Sequence, residues 1–112
     1  MDPKEFNALL NKFNDIRKVW ADVYGRILTY RIAREFSKIK KEGNKFLNTY
    51  AGIFNKVGAE IAKTELGIAL LNDKEDAESR KELNRLKLQL ALLKKMWGDK
   101  DTYFNQLASY LK

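Results

Sequence analysis

The sequence predicts an all-α protein, an antiparallel three-helix bundle with coiled-coil-like heptad packing. Proline, the strongest helix breaker, occurs once among the 112 residues, at position 3. Apolar residues recur at alternating steps of three and four in three successive stretches, the spacing by which a helix presents a seam to partner helices. Short breaks separate these stretches, and helices joined by short connections lie antiparallel. At this length we expect a single domain over residues 1–112.

The first helix is expected over residues 3–42. Asp2 is suited to cap it, Pro3 fits the first helical position, and Glu5 stands three residues after the cap, as in a capping box. Gly43 is expected to end the helix as a left-handed C-terminal residue. The predicted seam comprises Phe6, Leu9, Phe13, Ile16, Trp20, Val23, Ile27 and Tyr30.

The second helix is expected over residues 44–71, with Asn44 as its cap. Beside its seam runs a set of small residues, which we interpret as positions where helices approach closely. These small residues are Ala51, Gly58, Ala62 and Ala69. The predicted seam comprises Leu47, Tyr50, Phe54, Val57, Ile61, Thr64, Ile68 and Leu71.

The third helix is expected over residues 74–97, after a polar break at residues 72–76 whose acids suit a helix N-terminus. We expect a break or kink near Gly98, followed by a short fourth helix over 101–111. The alternative is that the third helix continues to the end, because the heptad phase persists past Gly98. The predicted seam comprises Leu83, Leu86, Leu90, Leu93 and Trp97, and then Phe104, Leu107 and Leu111.

The chain has more apolar residues than one seam per helix requires. A second stripe on the first helix lies about 115° from the seam by the helical period, and further leucines of the second and third helices also lie off their seams. Grouped exposed leucines indicate an interface with a second copy or a helical partner, and a homo-oligomer is the first expectation. Alternatively, a bend at Gly25 shifts the second stripe into the core. The interface candidates are Leu28, Ile32, Phe36, Ile39, Leu88 and Leu92.

The net charge of +7 suits an anionic partner such as nucleic acid, an acidic protein or an anionic membrane surface. Residues 31–41 hold five basic residues and one acid, and the far end of the bundle is expected to be acidic. The basic end is a candidate nucleic-acid or anion site. Alternatively, these side chains are simply solvated, or they contact the acidic end of a neighbouring subunit. The candidates are Arg31, Arg34, Lys38 and Lys41, on one expected helix face, with Lys94 and Lys95 expected near the same end.

Catalysis is not expected, because the sequence has no His, no Cys, no glycine-rich phosphate loop and no Gly-x-Ser-x-Gly elbow. We likewise expect no cofactor, no metal and no small-molecule substrate. The first five residues lack a signal-peptide layout, and no uncharged apolar run approaches the roughly 18–20 residues of a membrane span. A cytoplasmic protein, or one carried in a virion, is therefore expected.

These observations rank the functions. The first is a non-enzymatic assembly or protein-interaction module that self-associates. The second is a sequence-nonspecific nucleic-acid-binding protein that uses the basic end, and a nucleoprotein or filament component would combine both. The third is a small inhibitor or accessory protein that docks on an acidic partner, for which charge is the sole argument.

Overall fold

The computed structural model describes residues 2–111, of which Leu111 is described by its backbone alone. Within them lie three helices: α1 (Pro3–Ile32), α2 (Phe36–Leu71) and α3 (Ala77–Leu111). Contacts of α1 with α3 advance in the same direction along both helices, from Arg17 with Asp99 to Tyr24 with Tyr110, so these two helices are parallel and α2 is antiparallel to both. The bundle is a rod of 62 × 23 × 18 Å. The predicted all-α three-helix bundle is confirmed.

The start and the seam of α1 follow the prediction. The Asp2 carboxylate accepts a hydrogen bond from the Glu5 backbone N–H at 2.8 Å, and Pro3 occupies the first helical position. The central part of the heptad seam is buried, whereas Phe6 and Tyr30 at its two ends are partly exposed. The buried residues of α1 are Leu9, Phe13, Ile16, Trp20, Val23 and Ile27.

The predicted end of the first helix at residue 42 is wrong, since α1 ends at Ile32. Arg34 has a φ of 60°, and the Glu35 N–H donates to the Tyr30 carbonyl at 2.7 Å, which closes the helix with a left-handed turn of the Schellman type. An unbroken helix would direct Arg34, Ser37 and Lys41 at the core. The turn avoids this.

The predicted start of the second helix at residue 44 is also wrong, because α2 begins at Phe36. Gly43, the expected stop, is a buried residue inside α2. The earlier start places Ile39 in the core, and the predicted end at Leu71 is confirmed. The buried residues of α2 are Ile39, Gly43, Phe46, Phe54, Val57 and Thr64.

The prediction of a break or a fourth helix near Gly98 is wrong, and α3 is one continuous helix that begins at Ala77 rather than at residue 74. Tyr103 and Leu107 are buried beyond Gly98, so packing holds the helix across that glycine. Met96 and Gln89 are buried although the predicted seam passed through their neighbours Trp97 and Leu90. The side chain of Leu111 lies outside the described residues.

The α2–α3 hairpin extends past the start of α1. Pro3 and Phe6 line a crevice together with Arg85, Leu88 and Gln89, which places the first turn of α1 beside the third turn of α3. In the part of the hairpin that extends past the first turn of α1, the described residues of α2 and α3 pack only on each other. This end of the rod, from about residue 66 to residue 78, is termed the hairpin end.

Candidate assembly surfaces

Two large apolar side chains are exposed where α1 turns into α2. Ile32, the last residue of α1, is 85% exposed, and Phe36, the first residue of α2, is 58% exposed. Both belong to the predicted second stripe. Because the chain reverses between them, they flank the turn at one end of the rod instead of continuing along one helix.

Basic side chains surround this apolar pair. The Arg31 guanidinium lies 5.3 Å from the centroid of the Tyr110 ring. Lys38 Nζ lies 5.5 Å from the centroid of the Tyr30 ring and 3.2 Å from the Glu35 carboxylate. These contacts hold both cations at the end of the rod. The surface formed by Arg31, Ile32, Arg34, Phe36 and Lys38 is termed the basic corner.

The residues of the predicted basic face are distributed over two helices and the turn between them. Arg31 lies on α1, Arg34 lies in the turn, and Lys38 and Lys41 lie on α2, so the expectation of a single helix face is wrong. All four side chains are exposed at the same end. With Lys40 they make five basic residues against one acid over residues 31–41, a local charge of +4.

Lys94 and Lys95 are not part of the basic corner. Lys94 Nζ lies 3.9 Å from a Glu65 carboxylate oxygen, in the half of the rod nearer the hairpin end. Tyr110, which contacts Arg31, follows Lys94 by sixteen residues of continuous helix, about 24 Å along the axis. The expected grouping fails because α3 does not end near Gly98.

The remaining interface candidates differ in their exposure, from buried through half-buried to exposed. Ile39 is buried in the core, because α2 starts with a phase that directs it inward, and it is no surface residue. Leu28 and Leu92 are half-buried. Leu88 is exposed beside the first turn of α1, away from the basic corner.

A second exposed apolar surface lies on α2 near the hairpin end. Leu66 and Leu70 are 62% and 68% exposed, one turn apart on the side of α2 that faces away from the core. The last turns of α2 are therefore apolar on their outer side as well as on their inner side, a pattern typical of helices that are covered on both sides. Ala59, Ala62 and Ala69 are exposed on the same outer side.

The small residues of α2 do not act as one set. Gly58 does mark a close helix approach, because a Cβ atom there would lie 2.8 Å from Trp97 Cζ3. Ala51 is half-buried, whereas Ala62 and Ala69 are exposed. The interpretation as packing positions within the chain therefore holds for Gly58 and is wrong for the two exposed alanines.

The loop beside Leu70 is acidic. Residues 72–78, which are the loop and the first two residues of α3, hold four acids and one lysine, a local charge of −3. At the end of the loop the Asp76 carboxylate accepts a hydrogen bond from the Ser79 N–H of α3 at 3.1 Å, and the hydrogen bonding of Ser79 lowers the pKa of Asp76 below its ordinary value. The loop follows the 36 residues of α2, which span about 54 Å. The acidic hairpin end and the basic corner therefore lie at opposite ends of the rod, as the charge pattern predicted.

The described residues, 2–111, also lack the features of a metal site. In this part of the chain no three acidic side chains come close enough together to hold a metal ion. None of the described helices is long and apolar enough to cross a membrane. A shallow groove of about 250 Å³ between α1 and α2 is lined by Val23, Arg26, Glu42, Phe46 and other residues.

Comparison of the chain with protein-family models, with curated proteins and with solved structures finds no match.

Proposed function

We propose that this chain is a non-enzymatic assembly module that self-associates through the exposed apolar surfaces at the ends of its rod. The observation that supports this proposal is the grouping of those side chains. Ile32 and Phe36 are exposed together at one end, and Leu66 and Leu70 are exposed together near the other. Scattered exposed apolar residues are normal on a monomer, whereas grouped ones mark interaction surfaces.

The apolar area favours association of moderate strength. Burying a large aliphatic or aromatic side chain contributes about 1.5–3 kcal/mol, so four such side chains contribute at most about 6–12 kcal/mol. Loss of translational and rotational freedom costs an amount of similar size, about 4–15 kcal/mol. We therefore expect association at micromolar concentrations rather than an obligate oligomer.

Light scattering after size exclusion, over a range of micromolar concentrations, tests the proposal. The wild-type mass should rise with concentration, and Ile32→Asp or Leu66→Asp should lower it without loss of helical circular dichroism. The control is Val19→Asp, which changes an exposed apolar side chain in the middle of the rod and should leave the mass unchanged. A wild-type chain that stays monomeric at several hundred micromolar contradicts the proposal.

A second candidate function is sequence-nonspecific nucleic-acid binding at the basic corner, favoured by the local charge of +4 over residues 31–41. Arg31 and Lys38 lie over the rings of Tyr110 and Tyr30, so these rings are already occupied and phosphate contacts would dominate over base stacking. Fluorescence anisotropy with short single-stranded DNA and RNA tests it. Affinity should fall steeply with salt, and the double variant Arg34→Glu, Lys38→Glu should lose binding while remaining folded. Binding that is insensitive to salt contradicts it.

A further inference from the structure

We propose that the chains join head to tail, with the basic corner of one copy against the hairpin end of the next. This inference rests on the self-association proposed above and adds which two surfaces meet. The occupant of the basic corner is thus a second copy of this chain, and the contact surface of that copy is Leu66, Leu70 and the acidic residues 72–78.

Charge complementarity selects this pairing. Residues 31–41, which include the basic corner, carry +4, and residues 72–78 at the hairpin end carry −3. Two corners brought together would place six basic side chains in one interface, and two hairpin ends would bring eight acidic side chains together, so both symmetric pairings are repulsive. The unlike pairing is attractive and steers the encounter.

Both surfaces also offer apolar side chains of similar extent. Ile32 and Phe36 at the corner, and Leu66 and Leu70 near the hairpin end, are each a pair of exposed side chains flanked by charge. A protein interface of modest size has an apolar centre and a polar rim. Here each surface supplies an apolar pair, and the charges around the two pairs have opposite signs. A phosphate backbone would leave Ile32 and Phe36 exposed to water.

The positions of the two surfaces determine the form of the assembly. They lie at opposite ends of a rod 62 Å long, so one molecule cannot join both of its own ends. Copies that join end to end leave one surface of each kind free and can add further copies, whereas two copies that lie antiparallel and side by side would satisfy both contacts and close as a dimer. We expect the end-to-end series, whose length grows with concentration, and a wild-type mass that stops at two copies would overturn the open series.

Mixing two blocked variants tests the inference. The corner-blocked variant carries Ile32→Asp and Phe36→Asp, and the tip-blocked variant carries Leu66→Asp and Leu70→Asp. Each alone should be monomeric, because it keeps only one of the two surfaces. Mixed in equal amounts they should form a dimer of one copy of each, and nothing larger, by light scattering and native mass spectrometry. Val19→Asp serves as the matched control and should still form the full series.

The outcomes separate the two proposals. If wild type associates but the mixed variants stay monomeric, or if either blocked variant dimerises alone, the head-to-tail contact is overturned while self-association stands. If wild type does not associate, self-association itself is overturned. Flotation with phosphatidylserine-containing vesicles is run in parallel: vesicle binding that is lost in the corner-blocked variant, with no wild-type oligomer, would make a lipid surface the occupant and overturn the inference.

A charge-reversed pair keeps the test valid if the aspartate variants fold poorly, which circular dichroism would show. Arg34→Glu with Lys38→Glu reverses the corner, and Asp73→Lys with Glu75→Lys reverses the loop. Each double variant should weaken wild-type association at least about tenfold, and a chain that carries all four changes should recover it. Failure of the four-change chain to recover, when both double variants have lost association, overturns the inference.

Discussion

Gly58 of α2 lies directly against the indole ring of Trp97 of α3. A Cβ atom at Gly58 would be 2.8 Å from Trp97 Cζ3 and 3.1 Å from Cη2. Lys100 covers the same ring, with its Nζ 3.9 Å from the ring centroid. Because the indole lies against a backbone rather than a side chain, α2 and α3 approach closely at this level.

Gly58→Ala should therefore destabilise the protein. The added methyl group forces the indole to move, which costs about 1–3 kcal/mol, against a helix-propensity gain of about 1 kcal/mol. Gly52 is the matched control, since it lies in the same helix with nothing within 4 Å of its added Cβ. Urea unfolding should show a lower free energy of unfolding for Gly58→Ala and a higher one for Gly52→Ala. Equal gains in both variants would mean that the close approach does not exist in solution.

Gly98→Ala should raise the free energy of unfolding by about 0.5–1 kcal/mol. Gly98 lies inside continuous α3, and nothing lies within 4 Å of an added Cβ, so alanine gains helix propensity without a clash. Thermal unfolding followed by circular dichroism measures the change. A lower free energy of unfolding for Gly98→Ala would show that residue 98 needs a backbone conformation that only glycine adopts easily. It would support the helix break that the sequence predicts.

Arg34 occupies a left-handed backbone conformation, with φ 60°. Arg34→Gly should be more stable than Arg34→Ala by about 1 kcal/mol, because glycine adopts this conformation without the steric cost of a Cβ atom. Both variants remove the same charge, so their difference isolates the backbone. Equal unfolding free energies of the two variants would contradict the left-handed conformation at residue 34, and therefore the end of α1 at Ile32.

The sequence predicts those parts of the fold where packing and periodicity agree. The seam of α1 from Leu9 to Ile27 is buried as expected, because its heptad phase is unbroken over this span. The turn after Ile32 could not be predicted, since it depends on a left-handed arginine, while the residue that suits such a turn, Gly43, lies inside α2. The break predicted at Gly98 is wrong for a similar reason, because glycine permits a helix to break but does not require it.

The candidate site was predicted in part. Ile32 lies on α1, and its exposure follows from its position off the α1 seam, as the sequence predicts. Phe36 is also exposed, but it lies on α2, so its exposure does not follow from the α1 pattern that predicted it. Ile39 was misassigned because its orientation follows the phase of α2, which starts earlier than predicted. The position of Lys94 along the rod depends on whether α3 continues past Gly98. It does continue, because Tyr103 and Leu107 pack in the core, and the sequence alone does not show that packing.

Thr64 and Gln89 form a buried hydrogen bond between α2 and α3, in which Gln89 Nε2 donates to Thr64 Oγ1 at 3.0 Å. Thr64→Val should cost about 1–3 kcal/mol, because it leaves the buried Gln89 amide without this acceptor. Adding Gln89→Leu to it should recover most of that loss, since both polar groups are then replaced by apolar ones. A double-mutant cycle in urea measures the coupling, and additive effects of the two changes would contradict the bond.

Tyr103 should make the protein less stable at alkaline pH. Burial, and next the negative charge of Asp99, raise the pKa of the Tyr103 hydroxyl above the ordinary tyrosine value of about 10. Because the pKa is higher in the folded than in the unfolded chain, the folded state holds the proton more tightly. This contribution to stability is complete below pH of about 10 and is lost as the pH rises through the folded-state pKa. Urea unfolding between about pH 8 and 11 should therefore show a shallower decline for Tyr103→Phe than for wild type, and identical slopes would mean that Tyr103 is not buried in solution.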